Sequence, residues 1–304
     1  MEMPHSYARY IRQGRIRDVL GNSFELADSI LGFLVSTSLF LAVSGVFKLY
    51  LAFLLYGTRP QWNLLAATFF LIFSVYGLNK LTDLDEDEIN NPERTGYIKR
   101  VSGVFRHAVL VSFAVAVILG VLTSPWAAPV IIFPIFSGVL YSVSLIPGYP
   151  RLKDITGIKN VIIALTWANG TAFLPYLAAG APELQRALMI YYFFFMKSMI
   201  NTILFDVRDI EGDRANGIKT IPVKLGLRRS RNILIALNST LVLWMLLAYS
   251  RGYFAGYMPV LVFSILNGYA YILYFARKRE RPGKLLDVWV DGEWFYTLPL
   301  ALFL

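Results

Sequence analysis

The chain has 304 residues, 56% of them hydrophobic and 16% charged, a balance too apolar for an ordinary soluble domain. Cysteine is absent and histidine is limited to His5 and His107, which excludes disulfides, thiolate catalysis, iron–sulfur clusters and a histidine-rich metal centre. A net charge of +9 raises nucleic acid as a partner, but the placement of the basic residues speaks against it.

Residues 1–26 are polar and arginine-bearing, with no apolar core leading into small residues, so they read as a cytoplasmic or interfacial segment rather than a cleaved leader. Tyr7, Tyr10 and Ile11, interleaved with arginines, fit a surface-lying helix as well as an unstructured tail. Residues 27–304 read as a single membrane domain. It holds nine apolar blocks of about 20 residues, the length a helix needs to cross hydrocarbon. They cover residues 27–48, 64–81, 107–123, 127–146, 159–179, 184–205, 232–249, 254–276 and 285–304. The last block carries Asp287, Asp291 and Glu293 in its first half. The expected fold is all-α: a polytopic membrane protein of about nine transmembrane helices around a central cavity with a cytoplasmic cap.

The basic residues set the orientation. With the N-terminus in the cytoplasm, the N-terminal tail and alternate loops hold 24 of the 29 lysines and arginines, against Arg59, Arg186 and Arg251 in the opposite loops. That is the positive-inside pattern of an odd number of spans, and it accounts for the basic excess without nucleic acid. Connections on the outer side are short, while residues 83–106, 147–158 and 206–231 form longer polar connections on the cytoplasmic side. Long loops in a compact architecture are usually functional. The expected location is therefore the cell membrane, with the active site facing the cytoplasm.

Two of these loops open with acidic clusters. Asn79, Asp83 and Asp87 are spaced i, i+4, i+8 at the end of the second block. Asp206, Asp209 and Asp213 are spaced i, i+3, i+7 at the end of the sixth. Each spacing puts three oxygen-bearing side chains on one helix face. Two such faces turned together would suit a hard divalent cation, and Mg²⁺ in such sites is usually completed by substrate phosphates. The reading is of a membrane enzyme that handles a diphosphate.

The segment from Asn79 through Asp83 and Asp87 to Asn90-Asn-Pro92-Glu-Arg94 resembles the first signature of the UbiA superfamily of intramembrane prenyltransferases. The run Asp206-Val-Arg-Asp209-Ile-Glu-Gly-Asp213, continuing to Pro222, resembles the second. Leu140-Tyr141-Ser142, with Arg151, Lys153, Lys159 and Asn160, is similar to the family's connection between its fourth and fifth helices. The first signature departs from the common pattern in having Lys80 where an aspartate is usual, and Thr95 in place of a proline. The resemblance implies Mg²⁺-dependent transfer of a polyprenyl group from its diphosphate to an aromatic or lipid acceptor.

Ionisation of a prenyl diphosphate leaves negative charge on the pyrophosphate, where preorganised cations contribute most. On this reading Asp83, Asp87, Asp206, Asp209 and Asp213 hold Mg²⁺, with Asn79 a neutral oxygen ligand or a donor to phosphate. Arg94, Lys153 and Lys159 bind the pyrophosphate, joined by Asn160, and Tyr141 and Ser142 donate to the leaving group. Asn201, Phe73 and Tyr76 are candidates for the cavity that shelters the prenyl chain. Lys48 and Lys197 fall within spans, where ionisable groups are functional candidates by default. The partners expected are a polyprenyl diphosphate, a hydrophobic acceptor and membrane lipid.

A secondary transporter is the alternative from another class, but transporters bind near the bilayer midplane on broken helices, whereas both acidic clusters lie at span ends. A CDP-alcohol phosphotransferase would gather its acids in one compact run, whereas here two clusters lie about 120 residues apart.

Overall fold

A backbone crossing hydrocarbon has to satisfy its own hydrogen bonds, and helices do so within each segment. The computed structural model describes residues 25–82, 84, 92–142, 155–180, 183–277 and 283–303, with the backbone alone for residues 92–94 and 138–142. Among the described residues there is helix and no strand. The helices are α1 (25–36), α2 (Leu39–Tyr56), α3 (Trp62–Thr82), α4 (Pro92–Thr123), α5 (Ala127–Ser142) and α6 (Ile158–Ala178). They continue as α7 (Leu184–Arg208), α8 (Ile210–Ala215), α9 (Ile221–Ser250), α10 (Met258–Phe275), α11 (Lys284–Leu286) and α12 (Glu293–Leu302).

Seven of the described helical segments, rather than the nine expected spans, are long and apolar enough to cross a membrane. Of the fourth block, α5 is described to Ser142, with Pro134 inside it, and residues 143–146 lie outside the described residues. The ninth is interrupted: α11 runs into a π-turn over Asp287–Asp291, and α12 starts only after Gly292. The first block is also redrawn. Ser38 takes a left-handed backbone, φ 68°, and ends α1, and the crossing helix α2 starts at Leu39 and runs past Lys48 to Tyr56. Thr37 assists this break by donating its hydroxyl to the Phe33 carbonyl at 2.8 Å. Hydropathy merged the two helices because Thr37 and Ser38 are too weakly polar to interrupt an apolar average.

Consecutive helices pack on one another from α2 to α7, then α9 packs on α7, α10 on α9 and α12 on α10. The last helix returns to the first span, α12 against α2, and closes a ring. Leu110, Ile118, Leu122, Leu243 and Leu266 are exposed on its outside, as a lipid-facing surface requires. Inside, one aromatic cluster joins α7, α9 and α12: Phe193 stacks on Trp244 with centroids 5.1 Å apart, and Phe194 meets Trp294 at 5.4 Å. A second, mostly aliphatic core, including Leu49, Leu64, Ile131 and Leu174, packs α2, α3, α4, α5 and α6 together.

The contact between α9 and α10 depends on a glycine. A Cβ at Gly268 would press into the Asn238 amide oxygen, while the Asn238 amide nitrogen donates to the Ile265 carbonyl at 3.0 Å. Asn238 is fully buried and has no room to swing away. Gly268→Ala is expected to cost about 1–3 kcal/mol by overpacking. The check is the thermal midpoint in detergent, and an unchanged midpoint would mean that the two helices separate freely.

Candidate functional site

The ring encloses a cavity of about 260 Å³ whose walls come from the N-terminal, middle and C-terminal parts of the chain. Asn79 and Tyr76 on α3, Lys159 on α6, and Asn201, Asp206 and Asp209 on α7 and its end all line it. Residues from both acidic motifs, 127 positions apart from Asn79 to Asp206, thus share one space. Asp83, Asp87 and Lys153 lie outside the described residues, as do the side chains of Arg94, Tyr141 and Ser142.

The second motif is the better defined. Asp206 is buried, and the Asn160 amide donates to its Oδ2 at 2.7 Å while Lys159 Nζ stands 3.4 Å from its Oδ1. Asn160 therefore acts from behind Asp206 rather than from the cavity wall. The three aspartates do not lie on one uninterrupted helix face. Helix α7 ends at Arg208, Asp209 caps it, and Asp213 lies in the six-residue α8. The bend leaves Asp206 and Asp209 facing the cavity, with Asp213 buried outside its lining. Burial, reinforced by the charges of Asp206 and Asp209 and opposed by Lys159, pushes the Asp213 carboxyl up to about 7.

Arg208, which sequence reasoning passed over, holds Asp209 with two bonds of 2.8 and 3.0 Å and reaches Asp287 at 3.3 Å. Asp287 and Asp291 come from the interrupted ninth block, and both line the cavity. The Asn201 amide donates to Asp291 Oδ1 at 2.8 Å, and the Ser44 hydroxyl donates to the Asp291 backbone carbonyl. Deeper still, Lys197 pairs with Glu293 at 2.8 Å and donates to the Tyr271 hydroxyl at 2.8 Å. Lys48 donates to Ser198 at 2.9 Å and sits 4.5 Å from the centroid of Trp167, whose indole N–H donates to Tyr76 at 2.7 Å. The signal for the C-terminal acids was present in the sequence, since Asp287 and Asp291 at i, i+4 inside an apolar block demand a sheltered, polar destination.

Phe73 does not reach the cavity lining. It packs edge-to-face on Phe105 with centroids 5.7 Å apart, in a small cluster between α3 and α4. Lys80, the departure in the first motif, turns back to donate to the carbonyls of Val35 and Ser36 at 2.7 and 2.9 Å. It thus caps the end of α1, where a cation complements the helix dipole.

Among the described residues, no three acidic or histidine side chains converge closely enough to hold a metal by themselves. The donor set still suits a hard cation: Asp206 and Asp209 present carboxylates to the cavity. Asp213 Oδ2 is buried with no hydrogen-bond partner among the described residues.

A ring of membrane helices around a charged cavity, lined by Asn79 from the first motif and Asp206 and Asp209 from the second, defines the class. The family profile of the UbiA prenyltransferases matches residues 30–292, and the chain belongs to the UbiA prenyltransferase family. That membership sets aside the transporter reading. Among its relatives, the digeranylgeranylglyceryl phosphate synthase of Natronomonas pharaonis is 32% identical over 196 residues, 64% of this chain and 67% of that protein. The synthase of the same name from Sulfolobus acidocaldarius is 30% identical over 202 residues, covering 66% and 70%. A UbiA homologue from Archaeoglobus fulgidus, solved bound to GPP and Mg²⁺, shares the fold with a TM-score of 0.64 at 17% identity, over 90% of this chain and 99% of that one.

Proposed function

We infer that this protein transfers a polyprenyl group from its diphosphate to a hydroxyl of an isoprenoid glycerophosphate lipid, with Mg²⁺ at the diphosphate. The observation that carries the reading is the convergence of Asn79, Lys159, Asp206 and Asp209 on one cavity. The relatives named as digeranylgeranylglyceryl phosphate synthases favour a lipid acceptor over an aromatic one.

In this mechanism Asp206, Asp209 and Asp213, together with Asp83 and Asp87 of the first motif, would hold the cation, and Asn79 would add a neutral oxygen. When bound, Mg²⁺ neutralises charge that develops on the leaving pyrophosphate. Lys159 lies 3.4 Å from Asp206 and partly exposed, placed to bind a diphosphate oxygen, with Arg94, Lys153, Tyr141 and Ser142 as further donors. Phe40, Leu41, Ile163 and Phe205 give the cavity apolar wall, which excludes water from the allylic carbon. By the positive-inside argument the site opens to the cytoplasm.

The test is binding of geranylgeranyl diphosphate to the purified protein in detergent, first with Mg²⁺ and then with a chelator. Binding is expected to require the metal, to be lost on chelation, and to be unmatched by geranylgeraniol. Equal binding of the alcohol, or indifference to chelation, would remove the diphosphate site. Turnover with geranylgeranylglyceryl phosphate but not with 4-hydroxybenzoate is the outcome expected for the acceptor.

A further inference from the structure

Capture of a prenyl group by an acceptor hydroxyl releases a proton, and the carboxylates facing the cavity differ in their freedom to take it. Asp206 is paired with Lys159, Asp209 and Asp287 with Arg208, and Glu293 with Lys197. Asp291 is different. It has no ion pair among the described residues, and its only side-chain partner among them is the neutral Asn201 amide, which donates to Oδ1. Oδ2 has no donor among the described residues, and the side chain is half-buried against the cavity. The charges acting on it are Lys48 from α2, Arg208 from α7 and Asp287 from its own turn.

The backbone is built to hold this carboxylate still. The Ser44 hydroxyl donates to the Asp291 carbonyl, and the Gly292 amide donates to the Asp287 carbonyl at 3.0 Å, closing the wide π-turn. Such turns inside helices are rare and recur at functional sites. The depth also fits. Asn201 and Asp206 are five residues apart on α7, a rise of about 7.5 Å. Asp291, fastened to Asn201, thus lies about a turn and a half along α7 from Asp206, toward the middle of that span.

We propose that Asp291 is the general base of the transfer. Its Oδ2 accepts the proton of the acceptor hydroxyl as that oxygen bonds to C1 of the prenyl group. The bond from C1 to the diphosphate oxygen breaks, and its electron pair leaves with pyrophosphate. This rests on the prenyl-transfer reading above, and it makes the acceptor a hydroxyl compound that reaches past the diphosphate to the π-turn.

The experiment compares D291N and D291E with the parent, using geranylgeranyl diphosphate, Mg²⁺ and geranylgeranylglyceryl phosphate. D291N is expected to bind the diphosphate as the parent does while kcat falls by roughly 10²–10⁴-fold at little change in KM. D291E is expected to recover part of that loss. A D291N kcat within about ten-fold of the parent overturns the proposal, since a positioned base contributes at least about 10². So does loss of diphosphate binding in D291N that D291E restores, which would make Asp291 part of the binding architecture. If the parent itself shows no Mg²⁺-dependent binding, the prenyl-transfer reading fails first and takes this proposal with it.

Discussion

Asp206→Asn is expected to give a protein that folds normally and transfers prenyl groups at least ~10²–10³-fold more slowly, the loss seen when one preorganised electrostatic contact is removed. Asparagine keeps the shape, and Asn160 still finds an oxygen at 2.7 Å, so the packing of α6 on α7 has no reason to change. What disappears is the charge that would hold a cation and orient Lys159. Asp206→Ala is the harsher variant, because it strands the buried Asn160 amide. The readings are turnover and the thermal midpoint in detergent. An Asp206→Asn protein with near-parental turnover would take this residue out of the metal set. One that is inactive but markedly less stable would make its role structural.

The second large effect concerns stability. Lys197 and Glu293 are each 2% exposed and meet at 2.8 Å across α7 and the start of α12. Ser264 and Tyr271 supply further hydrogen bonds to Glu293. Removing one partner of such a pair leaves an uncompensated buried charge, which costs about 3–5 kcal/mol, whereas replacing both by apolar residues is often nearly neutral. Glu293→Leu and Lys197→Met are therefore each expected to lower the thermal midpoint sharply, and the double variant to recover most of the loss. A double-mutant cycle measures this directly. Additive losses would mean that the two side chains act independently and that the closure of the ring by α12 does not depend on their pairing.

The sequence carried most of the spans and the cavity-facing pair Asp206 and Asp209, because both are local signals. Apolar length predicts a membrane helix without knowledge of its neighbours, and acid spacing at a helix end survives in the cavity-facing positions of Asp206 and Asp209. The failures came where the deciding interaction was remote in sequence. The break at Thr37–Ser38 is supported by Lys80, more than 40 residues away, so a hydropathy window runs through it. Asp287, Asp291 and Glu293 read as faults in a ninth span because their partners Arg208, Asn201 and Lys197 lie 79 to 96 positions upstream. Phe73 was chosen for its nearness to the first motif, but helical geometry turns it toward Phe105 while Tyr76, three residues on, faces the cavity.

The grip of Lys80 on α1 also bears on how the enzyme's parts can be exchanged. A single side chain, next to Asn79, ties the segment before the first crossing helix to the rim of the cavity. A chimaera that imports a relative's first motif with aspartate at this position would aim a carboxylate at two carbonyls that already carry the negative end of α1. The motif is thus not a portable cassette. It travels with residues 25–38, and a successful graft has to move both together.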